Sequence, residues 1–433
     1  MRTTFIVFNP TGISDTASIR LTDDSGQPLV VTIPGLGTAD QFGPLTIGPG
    51  QTRILQTAGT GNARAGAARV ESSLALGVSA ILTLYTATGG FLTEAGVGSS
   101  TPMDNFIIPV DASTGFNTGV ALFAPAGASL DFTLRTLDGT VAGTSTNNQV
   151  GPQGHVARFV KGTGGLFPDS TIFTRGTLEV SASAPVAAVV MRQHEGPLTN
   201  TTLPAVDRAS STLDFNFPQI ANGVTPSGLT MKTTFILFNI SQTEAIAEVS
   251  VKRPNGVQFP VVRTENLAAI GGTRVAALPA QGVIASDFAV HMKPGVSAFI
   301  TTTGTGDLSP GSAHVQSTVP IGVAAIFTVS TGASGTVFMT EAGVGDSMMR
   351  SQFTLPVEVS LLSGTGVALF NPNDNERTVN IWLNDENGVS VGQLTTPVVL
   401  PPFSQTAKFV SELFPDKTNF RGSMGVSASG GIV

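Results

Sequence analysis

Four segments of this chain alternate apolar and polar residues with a period of two: Ala17, Ile19, Leu21; Leu130, Phe132, Leu134; Ala247, Val249, Val251; and Val379, Ile381, Leu383. That period places one row of side chains on a core and the other toward water, so each segment is predicted to be a half-buried β-strand. Each follows a short apolar run that closes on a phenylalanine: Phe8, Phe123, Phe238 and Phe370. In the first of these runs Phe5 and Val7 lie to one side and Ile6 and Phe8 to the other. Only one face of such a strand can meet its own core, so the other needs a loop, a linker or the next module over it. Ser25-Gly26, Asp138-Gly139, Asn255-Gly256 and Asn387-Gly388 then place a glycine 18, 16, 18 and 18 residues beyond the phenylalanine, in the dipeptides of tight hairpin turns.

The agreement between these segments comes from a repeat. Thr3–Asn9 reads TTFIVFN and Thr233–Asn239 reads TTFILFN, while GVALF at Gly119–Phe123 and TEAGVG at Thr93–Gly98 both recur 247 residues later, at Gly366–Phe370 and Thr340–Gly345. The repeating unit is about 115 to 130 residues long and its variants run in the order A-B-A′-B′, a duplicated pair. Within each unit a second alternating strand precedes an apolar one, as in Val180–Ser183 before Val186–Met191. A Phe-x-x-Pro strand opens three of the units, at Phe106–Pro109, Phe215–Pro218 and Phe353–Pro356, where proline suits a strand start or an edge. About seven or eight short strands per unit predict an all-β chain of tandem antiparallel β-sandwich modules. The boundaries are drawn at 1–101, 102–207, 208–350 and 351–433. The first module lacks its opening strand and the fourth its last one. The sequence therefore reads as a piece of a longer repetitive chain or, alternatively, as a unit whose open last module accepts a strand from another copy, head to tail, to build a filament.

The strand spacing, the hairpin turns and the turn Asn371-Pro372-Asn373-Asp374 make the modules similar to the immunoglobulin-like or fibronectin-like repeats of large bacterial secreted and surface proteins. The cysteines and core tryptophan of antibody domains are missing. The resemblance implies an extracellular or cell-surface location and a non-catalytic structural or adhesive role, as spacer, scaffold or self-assembling unit. Two alternatives stand beside it: a binding module for a polysaccharide or a protein ligand, and an accessory region of a larger exported enzyme.

Composition narrows the partners. Charged residues are 12% of the chain, against about 25% in ordinary soluble proteins. A net charge of −7 with no basic block argues against nucleic acid and against a polybasic membrane patch. No apolar run reaches the roughly 18 residues of a membrane helix, so no membrane insertion is expected. Met1-Arg2 leads directly into the first strand, with no secretory signal in these residues. With no cysteine, disulfides, thiolate metal sites and thiol nucleophiles are excluded.

Candidate chemistry is sparse. His155, His194, His291 and His314 stand singly, without the convergent ligands a metal needs; His194-Glu195 is the place where a site would be sought. No GxSxG elbow or phosphate loop is present, since Gly77-Val78-Ser79 lacks the second glycine and Gly162–Gly165 lacks a lysine. No catalytic, cofactor-binding or metal-binding residue is therefore assigned, and the chain is expected not to be an enzyme. Calcium is the one cofactor considered, because Asp23-Asp24, Asn373-Asp374-Asn375 and Asn384-Asp385-Glu386 are rich in oxygen, although turn-forming Asx side chains account for these runs too. Trp382 falls at the polar position of its strand, between Ile381 and Leu383, and is the candidate partner contact, with Tyr85 as a second aromatic.

Overall fold

The computed structural model describes residues 1–168, 173–266, 284–332 and 335–433. It is all-β with antiparallel pairing throughout the named strands, and the one helix among the described residues is the turn Val410–Leu413. Among the described residues, four separate hydrophobic cores lie along the chain. The alternating strands supply each of them, through Ile19, Phe132, Val249 and Ile381 among others, because the period of two sends every second side chain inward.

Each core lies between two sheets of the same plan. In one, the alternating strand (Asp15–Asp23, Ala128–Thr136, Ala245–Lys252, Arg377–Asp385) pairs with a later strand of its unit (Gln41–Ile47, Val141–Val150, Asp287–Met292 or Ser390–Gln393) and, on its other edge, with the second alternating strand. In the other lies the strand of the repeat phenylalanine (Arg2–Phe8, Phe116–Ala124, Thr230–Asn239, Gly366–Phe370), which is central in the first three units and pairs with one strand in the fourth. It pairs with Thr52–Gln56, Gly154–Phe159, Ser297–Thr302 or Gln405–Phe409. The two strands predicted around Val180 and Val186 are one, Arg175–Glu195, 21 residues long. It pairs with Ala128–Thr136 in one sheet up to Ala182 and with Phe116–Ala124 in the other from Ala187, and Pro185 falls between these two ladders, at the irregularity in the pairing with Met103–Asp111, where Val186 is opposite Met103.

The opening strands Met103–Asp111, Asp214–Val224 and Arg350–Val359 pair with the remaining edge of the second alternating strand. A threonine in, or just before, the phenylalanine strand fastens each. The Thr118 hydroxyl donates to the Asp111 carbonyl (3.0 Å) and accepts from the Asp111 N–H (2.9 Å). Thr233 does the same at Ala221 (2.8 and 3.0 Å), and Thr365 at Glu358 (3.0 and 2.9 Å). All three threonines stand five residues before the repeat phenylalanine. Just after that phenylalanine, Asn9, Asn239 and Asn371 are buried. Their amides donate to the carbonyl four residues on and to the end of the facing sheet, at Ile47, Met292 and Leu400.

The doubly apolar central strand shows how neighbouring units meet. In the third unit Phe235 and Leu237 belong to its own core, whereas Ile236 and Phe238 join the core cluster of the second. The preceding unit, rather than the following one, therefore covers the outer face. As a result the opening strand of the second unit has apolar side chains on both of its faces, and Phe106 to Asp111 are buried throughout.

Contacts between hairpin turns repeat around the molecule. The N–H of His155 donates to Asp24 (3.1 Å), that of Ser297 to Leu137 (3.0 Å) and that of Gln405 to Pro254 (2.9 Å). The N–H of Thr52 donates in turn to the carbonyl of Glu386 (3.2 Å). In each bond the acceptor stands two residues before the hairpin glycine, and the donor follows the turn Pro49-Gly50, Pro152-Gln153, Pro294-Gly295 or Pro402-Phe403. The contacts run from first unit to second, second to third, third to fourth and fourth back to first, so the four units close into a ring. The glycines are required twice over. Gly26, Gly139, Gly256 and Gly388 have φ between +80° and +83°, and a Cβ at Gly388 would lie 2.3 Å from the Pro49 carbonyl oxygen. Because the chain has no cysteine, dyes attached through Arg53→Cys and Asn387→Cys report the closing junction alone. We expect high transfer efficiency between them, falling sharply when Gly388→Glu is added; efficiency that stays low without that change would show the ring to be open in solution.

Candidate functional site

The histidines noted in the sequence lie in four different places. His155 Nδ1 is 2.8 Å from the Asp24 carboxylate across the junction of the first two units. His194 Nδ1 is 3.0 Å from the Pro197 carbonyl oxygen, and its ring lies 3.9 Å from Phe338 and 4.5 Å from Phe116. His291 lies 3.7 Å from Glu244, and His314 Nε2 is 2.9 Å from Asp214. Among the described residues no group of three or more His, Cys, Asp or Glu is placed to hold a metal ion.

The oxygen-rich turns are occupied by their own amides. Asp23 Oδ1 accepts from the N–H groups of Ser25 (2.9 Å) and Gln27 (3.0 Å), and Asp385 Oδ1 from those of Asn387 and Val389 (both 2.9 Å). Hydrogen bonds of this kind, led by that of the Ser25 hydroxyl, hold the Asp23 carboxyl below its usual range. Asn373 likewise bonds back to Asn371. These carboxylates and amides set turn geometry.

Trp382 points away from the core that holds Ile381 and Leu383, and it is half-buried. Its indole lies against Gly425, its partner on the neighbouring strand, where a Cβ would come within 2.1 Å of the ring. Phe8 over Gly77 and Phe238 over Gly322 make the same cross-strand arrangement. An aromatic ring shielding a facing glycine is a structural role that leaves the outer face of Trp382 as the candidate contact. Tyr85 is half-buried, with the Arg2 guanidinium 5.1 Å above its ring and Phe91 at its edge.

Two features escaped the sequence. The first is a buried ion cluster between the second and third units. Asp111 Oδ2 accepts from Arg192 Nη2 (2.9 Å) and lies 3.1 Å from Arg175 Nε, and Arg192 is also paired with Glu341. The Arg192 guanidinium lies 3.6 Å above the Phe116 ring. Burial works to raise the Asp111 carboxyl, but Arg192 and Arg175 outweigh it and hold the group below its usual value. At Glu341 burial wins, and its carboxyl is raised in spite of Arg192. Glu341 belongs to the repeated TEAGVG, whose first copy leaves Glu94 exposed, so no sequence signal separated the two.

The second is a cleft of about 1380 Å³ between the first and second units. The first core contributes Phe5, Leu21 and Val70, and the outer face of the second unit contributes Phe123, Val189 and Met191. It runs along Gly66–Ser72, whose one strand partner is Asp15–Asp23. In the other three units an opening strand occupies the corresponding edge.

The Asp111 cluster makes a testable contribution. Because its folded-state value is lowered, Asp111 contributes stability above the ordinary carboxylate range, and that contribution is lost as pH falls through the folded value. We expect Asp111→Asn to cost about 3 to 5 kcal/mol at neutral pH, the usual penalty for orphaning a buried partner, with the deficit shrinking below the usual Asp range; urea unfolding at neutral and acid pH measures both. No protein-family model matches the chain, and no curated protein matches it either.

Proposed function

We propose that this chain is a non-catalytic structural segment of a secreted or cell-surface bacterial protein, a scaffold of tandem immunoglobulin-like sandwiches. The observation that carries this reading is the fourfold recurrence of one turn-to-turn contact. Loops at the ends of sandwiches are where such domains ordinarily carry binding residues, since the sheets hold them rigidly and water reaches them. Here the hairpin tips are spent on fixing one unit to the next. Joining residues are short as well, such as Gly98 to Pro102 between the first two units, so the modules have little freedom to act as independent binders on flexible tethers.

An adhesive or ligand-binding role is the second reading. Trp382 supports it, because part of its indole stays accessible on a sheet face that does not pack on its own core. A polysaccharide or protein ligand would meet that face.

Sedimentation velocity and negative-stain electron microscopy of the intact chain, each with and without calcium, test the scaffold reading. The expected particle is a compact monomer with four lobes around a centre, unchanged by calcium. Filaments would turn the assignment toward a self-assembling unit, and an extended string of lobes would remove the rigid scaffold. A glycan-array screen comparing the chain with Trp382→Ala addresses the second reading, which requires a signal that the substitution abolishes.

A further inference from the structure

We propose that Asn255 and Asn387 are sites of spontaneous deamidation to isoaspartate, and that this modification releases the fourth unit from both of its neighbours. Asn255-Gly256 and Asn387-Gly388 form the hairpin tips of the third and fourth units. The first tip docks on Pro402-Phe403 of the fourth unit and the second on Pro49-Gly50 of the first, through the bonds from Gln405 to Pro254 and from Thr52 to Glu386. Both turn-to-turn contacts of the fourth unit therefore pass through an Asn-Gly pair.

The chemistry belongs to the pair itself. The glycine amide nitrogen attacks the asparagine Cγ, the Cγ–Nδ2 bond breaks, and Nδ2 leaves as ammonia carrying the proton that the glycine nitrogen gives up. A cyclic succinimide remains, and water opens it. Breaking the new bond to Cγ yields ordinary aspartate, whereas breaking the original main-chain bond yields isoaspartate, in which the chain runs through Cβ and Cγ and the former main-chain carbonyl becomes a carboxylate. Glycine favours the first step because no Cβ stands beside its nitrogen.

Burial and hydrogen bonding single out these two positions. The other Asn-Gly pair, Asn222-Gly223, has its asparagine buried. The Asn222 amide is engaged at both ends, since Oδ1 accepts from the Gly304 N–H (2.9 Å) and Nδ2 donates to the Thr305 carbonyl (3.3 Å). Asn255 and Asn387 are exposed. Asn255 Oδ1 accepts one long bond from the Val257 N–H (3.3 Å), and among the described residues the Asn387 side chain makes none. At the remaining tips, Ser25 has no acyl group to attack, and Asp138 accepts from the Thr136 hydroxyl and the Thr140 N–H. Those bonds hold the Asp138 carboxyl below its usual range, and an ionised carboxylate offers the glycine nitrogen no leaving group.

The close fit at the tips converts a small covalent change into a release. A Cβ at Gly256 would lie 2.5 Å from the Pro402 carbonyl oxygen, and one at Gly388 2.3 Å from that of Pro49. Isoaspartate inserts an extra carbon into the main chain just before that glycine, which drives it against the turn it packs on. At Asn387 it also adds a carboxylate beside Asp385 and Glu386. Ordinary aspartate is tolerated, because Asp138-Gly139 makes the same contact in the second unit.

The experiment incubates the intact chain at mildly alkaline pH and locates isoaspartate by peptide mapping, while dyes at Arg53→Cys and Val389→Cys, the latter an exposed position, follow the closing junction. We expect isoaspartate at Asn255 and Asn387 with Asn222 unchanged, whereas the same chain in urea reacts at all three. Transfer efficiency is expected to fall toward that of the Gly388→Glu variant in step with modification at Asn387, and exchange of the Gln405 amide to quicken with modification at Asn255. Asn387→Ser is expected to keep the junction closed throughout, and Asn387→Asp to start closed. Three results would each overturn the proposal: isoaspartate in urea but none in the folded chain, Asn222 reacting as fast as Asn387 in the folded chain, which would assign the reaction to global unfolding, or a modified chain whose transfer is unchanged, which would show that the junction absorbs the extra carbon.

Discussion

The arrangement of the whole molecule depends on how a glycine hairpin tip fits against the proline turn of the next unit. A backbone N–H two residues past that turn donates to the carbonyl two residues before the glycine, and the absence of a Cβ lets the two main chains approach. A single such bond contributes only about 1 kcal/mol. Its force is geometric: one contact made at the same place in four related units fixes the same rotation four times, and four rotations return the chain to its start. Closed assemblies of repeated units normally arise between separate chains. Here the repetition lies within one.

Apolar burial follows from that geometry. Strands that are hydrophobic on both faces would be a liability on isolated sandwiches, where the outer face meets water. In the ring, Ile236 and Phe238 find the core of the preceding unit. The Asp111, Arg192 and Glu341 cluster belongs to the same junction. Buried ion pairs contribute little net stability but make wrong packings costly, since any displacement leaves a charge unpaired. The cluster accordingly fixes how the second and third units meet. Between the first and second units the facing walls, with Phe5 and Val70 on one side and Phe123 and Val189 on the other, line a cleft.

Much of this architecture was legible in the sequence because it is local or periodic. Alternation at Ala17, Ile19 and Leu21 and at its three counterparts determined strands with one buried face, since side chains of a strand must point to opposite sides. Glycines at Gly26, Gly139, Gly256 and Gly388 marked hairpins because only glycine takes positive φ at no steric cost. Phe-x-x-Pro showed where three opening strands lie. The doubly apolar strand ending at Phe238 even required a covering neighbour. What it could not convey was which neighbour, because a hydrophobic face attracts any apolar surface.

Tertiary structure decided whatever depends on residues far apart in the chain. The identical TEAGVG segments hold Glu94 in water and Glu341 in a buried pair with Arg192, because a charge takes its environment from what packs against it rather than from its neighbours in sequence. Trp382, singled out for its polar register, proved to lie against Gly425, a partner 43 residues away. Ring closure is the extreme case: Thr52 and Glu386 meet although 334 residues separate them. Sequence alone determined the strands, the turns and the repeat, since these follow from side-chain size, charge and backbone freedom at each position. The angle between successive units, and with it the closed ring and its cleft, was decided only by how folded surfaces fit together.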